Sequence, residues 1–149
     1  MGGVGVSALL TSLNFVFKET HAFDLNKKRL NFLEKTIKSD QDINYKIIEK
    51  STTKNFKNYF DYVIETSGSI KGIENGFEIL KTSGKMIFAS HPSKGTKIKL
   101  DPFELIQGKK IFGSWGGDFD YEKNCSKIFN IFRNIENYNK IFEQKLYNF

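Results

Sequence analysis

The residues best placed to do chemistry lie at the start of the sequence. Met1-Gly2-Gly3-Val4-Gly5-Val6-Ser7 runs into an apolar helical pattern, and Asp24 follows nineteen residues after Gly5. Glycines at such a turn let a phosphate approach the backbone and let a helix pack tightly on its strand. The N–H groups around Gly3 and Val4 would open that helix and face the anion, and the helix dipole adds attraction. Asp24 stands where a carboxylate accepts hydrogen bonds from ribose hydroxyls, and its charge repels a 2′-phosphate, so NAD is favoured over NADP. The cluster Lys27-Lys28-Arg29 weakens that preference. In the pattern G-x-G-x-x-G, Gly2 and Gly5 are the second and third glycines, and the first would fall one position ahead of Met1. A glycine cluster alone is weak evidence. A following helix, a second strand and an acid at the expected spacing strengthen it.

The elements that must hold these residues can be read from periodicity. Val6, Leu9, Leu10, Leu13, Val16 and Phe17 mark one face of a helix from about Val4 to Lys18. His21 to Leu25 reads as a strand, and Asn26 caps a second helix with Leu30, Phe32, Leu33 and Ile37 inward. Tyr45 to Ile48 reads as a strand and Thr52 to Asn58 as a short polar helix. Phe60 to Thr66 is a strand stopped by Ser67-Gly68, followed by a helix with Ile70, Ile73, Phe77, Ile79 and Leu80, for which Gly84 is the expected stop. Lys85 to Ala89 is a further strand, Thr96 to Leu100 an edge strand, Asp101-Pro102 a helix start, and Lys110 to Trp115 a last strand. Lys123 to Ile135 forms an amphipathic helix with Ile128, Phe129, Ile131, Phe132 and Ile135 inward. Alternating strand and helix with short joints implies an α/β fold of Rossmann type: a doubly wound, mostly parallel sheet lacking its first strand. Ligands bind beyond the carboxyl ends of such strands.

Composition narrows the alternatives. The 149 residues suit one domain; 39% are apolar, 27% charged, and the net charge is +6 from 23 basic and 17 acidic side chains. The lysines are scattered, so a nucleic-acid face is not expected. The single cysteine, Cys125, rules out a disulfide framework or a cysteine-based zinc site within one chain, and it reads as a small packed side chain. The uncharged run Gly2 to Phe17 lacks a basic flank and is too short and glycine-rich to span a membrane; a cytoplasmic location is expected. His21 reads as structural, and Lys109-Lys110 as a solvated start to the last strand.

Methyltransferases using S-adenosylmethionine also place glycines after a first strand and an acid after a second. Short-chain dehydrogenases need Tyr-x-x-x-Lys, whereas Tyr59, Tyr62, Tyr121 and Tyr138 are followed at that offset by Val63, Thr66, Cys125 and Phe142. The order of features resembles the coenzyme-binding domain of zinc-type (medium-chain) alcohol dehydrogenases. Gly2-Gly3-Val4-Gly5-Val6-Ser7 resembles that family's G-x-G-G-V-G-x-S turn. Phe60 to Gly68 resembles its fourth strand, Ser83-Gly84-Lys85 to Ala89 its fifth, and Asp101 through Gly117 the next helix and sixth strand, where G-S-x-G-G is common.

The resemblance implies roles residue by residue. Gly2, Gly3, Val4 and Gly5 would hold the pyrophosphate of NAD, Asp24 and Arg29 the adenosine ribose, and Leu25 the adenine. Thr66, Ser67 and Gly68 would line the coenzyme groove; Ala89, Ser90, His91, Ser114 and Trp115 would meet the nicotinamide carboxamide. Glu65 would be structural, although a strand-end carboxylate could also serve as an acid or base. A homodimer through the edge near Thr96–Leu100 and Lys110–Trp115 is expected. The family's catalytic zinc domain and its ligands have no counterpart here, so residues 1–149 read as a partial dinucleotide-binding domain cut at both ends. It would be the coenzyme half of an alcohol dehydrogenase-like oxidoreductase, inactive alone. The alternatives are a non-catalytic remnant with little cofactor binding, or an S-adenosylmethionine-dependent methyltransferase.

Overall fold

The computed structural model describes residues 2–37, 45–49 and 55–133. The chain runs α1 (Gly3–Ser12), β1 (Thr20–Asp24), α2 (Lys27–Ile37), β2 (Tyr45–Glu49), β3 (Phe60–Glu65), α3 (Ile70–Ile79), β4 (Leu80–Phe88), α4 (Pro102–Ile106), β5 (Lys110–Gly113) and α5 (Tyr121–Arg133). A one-turn 3-10 helix, Gly116–Asp118, separates β5 from α5. The expected helix over Thr52 to Asn58 is only partly covered: Asn55 and Phe56 form a helical turn, and residues 52–54 lie outside the described residues, as does Ile135.

All strand pairs are parallel. β1 pairs with β2, and β3, β4 and β5 form a second sheet in that order. In the doubly wound order 3-2-1-4-5-6 these are strands 3-2 and 4-5-6, and the described residues supply no strand between β1 and β3. An aromatic cluster ties the two sheets together instead. The His21 ring meets Phe60 at 5.0 Å and Phe56 at 5.2 Å, and Phe23 meets both phenylalanines at 6.0 Å, mostly edge to face. His21 Nε2 donates to the Glu19 carboxylate at 3.0 Å, and Glu19 also accepts from the Tyr59 hydroxyl, which raises that phenol above its ordinary value.

Two cores follow from the helix faces. Leu9 and Leu10 of α1 meet Ala22 of β1 and Leu33 and Ile37 of α2, with Phe132 of α5 packed against them. Ile73 and Phe77 of α3 meet Leu80 and Met86, flanked by Val63, Phe88, Ile98, Leu100 and Ile111. Val63 and Met86 thus face α3. Tyr62, the opposite neighbour along β3, meets Phe17 at 6.4 Å on the other face.

Several expectations are corrected. α1 stops at Ser12, because Ser12 Oγ and Asn14 Nδ2 bond back to the Leu9 and Leu10 carbonyls, and Val16 is fully exposed. Gly84 does not end a helix. α3 passes directly into β4 at Leu80, Ser83 takes a left-handed φ of 67°, and the register jumps from Phe60↔Leu80 to Tyr62↔Lys85. Gly84 sits inside that bulge against the Leu80 side chain. Thr96 to Leu100 is not a strand. Its alternation arises because Ile98 and Leu100 pack on the second core while Lys99 N–H donates to Glu74. Phe32, Ile128 and Phe129 are exposed rather than inward, and Cys125 is exposed rather than packed. Lys109 is buried, not solvated.

Candidate functional site

The carboxyl ends of β4 and β5 meet at one cleft, with the end of β3 bonded alongside. The parallel ladder carries past the strand ends: Ala89 N–H donates to the Glu65 carbonyl at 2.9 Å, and Ser114 N–H to the Phe88 carbonyl at 2.8 Å. A cleft of about 250 Å³ there is lined by Ala89, Ser90, His91, Ser114, Trp115 and Gly116. The His91 and Trp115 rings stand 5.9 Å apart at 31° and form one wall, with Trp115 87% exposed. Five residues expected at one subsite are thereby brought together, and Gly116 joins them.

The turn after β3 is fastened to this cleft from beneath. Glu65 is 5% exposed, and its carboxylate accepts from Ser67 N–H at 2.7 Å, from the Ser67 hydroxyl, and from the Ser90 hydroxyl at 2.7 Å. Ser90 Oγ in turn accepts from Gly68 N–H at 2.8 Å. Gly68 has φ +63°, a left-handed conformation that favours glycine, and a Cβ there would stand a tight 3.2 Å from the His91 carbonyl oxygen. Ser69 caps α3, accepting from Gly72 N–H, and a Cβ on Gly72 would fall 2.1 Å from Ser67 Oγ. Thr66 is half-buried on this turn. The network centred on Glu65 was not legible as such in the sequence. Its only signal is an acid at a strand end followed by Thr-Ser-Gly-Ser.

Asp24 stands at the carboxyl end of a strand of the other sheet, and the glycine turn opens α1, which packs on that strand. Gly2 is the N-cap of α1, without a side-chain cap, and the first helical bond described runs from Val6 N–H to the Gly2 carbonyl at 3.0 Å. The N–H groups of Gly3, Val4 and Gly5 precede it and have no place in the helical ladder. A Cβ on Gly2 or Gly3 would meet nothing within 4 Å, so their surroundings are open, while Gly5 is buried. This fits a phosphate cradle: open backbone ahead of a ten-residue helix. Asp24 ends β1 and accepts from Asn26 N–H at 2.8 Å, Asn26 Oδ1 caps α2 by accepting from Arg29 N–H at 3.2 Å, and Leu25 is 74% exposed. Among the described residues no group of three or more His, Cys, Asp or Glu side chains could hold a metal ion.

A family profile for zinc-binding dehydrogenases matches residues 3–130. The chain belongs to the zinc-binding dehydrogenase family. Solved structures share its fold. Benzyl alcohol dehydrogenase from Acinetobacter calcoaceticus is similar over 87% of this chain and 36% of its own, with 22% identity and a TM-score of 0.74. 2R,3R-butanediol dehydrogenase from Bacillus subtilis is similar over 84% and 35%, at 15% identity and a TM-score of 0.62. A Sinorhizobium meliloti 1021 protein described as a zinc-binding dehydrogenase bound to NADP is similar over 76% and 34%, at 14% identity and a TM-score of 0.61. The chain therefore spans about a third of the length of these structures. No curated protein matches the sequence significantly.

Proposed function

We propose that this chain is the dinucleotide-binding portion of an oxidoreductase that moves a hydride between an alcohol and NAD. The observation that carries the reading is the presence in one chain of an open glycine turn at the N-terminus of α1 and a cleft at the carboxyl ends of β4 and β5. Family membership and the NADP in the Sinorhizobium structure support a nicotinamide dinucleotide as the ligand. Gly2, Gly3, Val4 and Gly5 hold its pyrophosphate by N–H donation. Asp24 accepts from the adenosine ribose and favours NAD over NADP, with Arg29 beside the ribose and Leu25 against the adenine. Thr66, Ser67 and Gly68 line the groove, and Ala89, Ser90, His91, Ser114 and Trp115 receive the nicotinamide end. A nicotinamide ring held there would supply the hydride chemistry.

On this reading the chain supplies the coenzyme site and not the zinc of the family's chemistry, and by itself it is expected to turn over no alcohol. The outer edge of β5 is the surface through which two copies would pair. Calorimetric titration of the chain with NADH, with S-adenosylmethionine as the control, tests the assignment. Heat with NADH alone supports it; heat with S-adenosylmethionine alone, or with neither, contradicts it.

A further inference from the structure

Glu65 is buried at the end of β3 and is not among the residues that line the cleft. A buried carboxylate must be met by donors. Glu65 has three: Ser67 N–H, the Ser67 hydroxyl and the Ser90 hydroxyl. A serine hydroxyl carries one proton, so the protons of Ser67 and Ser90 are both committed to Glu65. What remains on each oxygen is acceptor capacity. Ser90 Oγ uses it on Gly68 N–H at 2.8 Å, and Ser67 Oγ on Ser69 N–H at 3.2 Å. Ser67 Oγ also accepts from the Ser69 hydroxyl at 3.1 Å, so the Ser67 and Ser90 hydroxyls are the two oriented directly by the carboxylate.

The cluster joins two turns more than twenty residues apart in sequence, 66–68 and 89–91. Apart from the ladder bond of Ala89 N–H to the Glu65 carbonyl, the described hydrogen bonds that cross between these turns both pass through the Ser90 hydroxyl. The Ser114 side of the cleft is held separately, by its bond to Phe88. The spacing of the 66–68 turn against the cleft is therefore the part that depends on Glu65.

We propose that Glu65 is a positioning residue: through Ser90 it fixes the turn at 66–68 against the turn at 89–91, and so sets the groove for the nicotinamide end of the ligand. This rests on the nicotinamide-dinucleotide reading above. The test is calorimetry on the full chain with two probes, NADH and AMP, comparing wild type with Ser90→Ala, Ser90→Thr, Glu65→Gln and Glu65→Ala. AMP carries the adenosine and phosphate but nothing for the β3–β4 turns. The expected result is NADH affinity about tenfold lower in Ser90→Ala and Glu65→Ala, with AMP affinity unchanged. Glu65→Gln should fall between, and Ser90→Thr, which keeps the hydroxyl, should restore NADH binding. If Glu65→Ala does not fold, the Ser90 pair decides. An NADH-to-AMP affinity ratio that does not move, or equal losses for both probes, overturns the proposal while leaving the dinucleotide reading intact. A wild-type chain that binds neither probe overturns both.

Discussion

Lys109 caps the helix to which Phe77 belongs. Its ammonium donates to the Phe77 carbonyl at 2.9 Å and lies 4.8 Å over the Phe77 ring, with Glu104 as counter-ion at 3.1 Å. The side chain is almost wholly buried, so three kinds of contact offset the desolvation of one charge. This lysine stands at the start of β5 and braces α3 against the sheet whose strand ends form the cleft.

Removing it should therefore cost more than a surface lysine would. Lys109→Ala leaves the Phe77 carbonyl and Glu104 without their donor and is expected to destabilise the fold by about 3 kcal/mol. Lys81→Ala, which loses an exposed pair with Asp61, should cost less than about 1 kcal/mol. Denaturant midpoints at constant slope measure both. Equal costs would mean that Lys109 is not the brace described.

Two glycines should separate stability from binding. Gly68→Ala forces a Cβ into a left-handed turn against the His91 carbonyl and is expected to lose about 1–3 kcal/mol of stability. Gly2→Ala meets no neighbour, so stability should change by less than about 0.5 kcal/mol. It should still weaken NADH, because the added methyl occupies the space through which the phosphate approaches. Thermal melts beside NADH titrations test the pair. A destabilised Gly2→Ala, or one with unchanged affinity, contradicts this account of the turn.

The start of α5 should report on pH. Asp120 forms an ion pair with Lys123 at 2.9 Å and accepts from the N–H groups of Glu122 and Lys123. The Lys123 side chain is the largest cause holding this carboxyl below its ordinary value of 3.8. A depressed folded-state value means that the contribution is fully present above the unfolded value and is lost as pH falls through the folded one. An NMR titration should place the Asp120 midpoint below 3.8, and Lys123→Ala should raise it. An unmoved midpoint in the variant would remove Lys123 as the cause.

What could be read from the sequence was what depends on local period and turn chemistry. The alternation of strands and helices, the cap at Asn26, the proline start of α4 and the strand end that carries Ser90 all follow from short-range rules, whereas the last strand ends at Gly113, ahead of the expected Trp115. The failures share a different origin. Lys109 looked solvated because its partners, Phe77 and Glu104, are supplied by other elements. Ile98 and Leu100 alternate as a strand would, but the alternation serves a core contact. Gly84 resembles a helix stop, whereas a bulge places it inside β4. At the site, the turns themselves were legible. Glu65 itself was singled out as structural, but its partner was not legible, since the Ser90 hydroxyl reaches it from 25 residues away.

The most direct test of the central claim uses Trp115, the single tryptophan, which lines the cleft. Titrating the full chain with NADH should quench Trp115 emission and excite the nicotinamide by energy transfer, NADPH should act more weakly, and Asp24→Ala should narrow that difference. Trp115 emission indifferent to NADH in a folded chain would contradict the account.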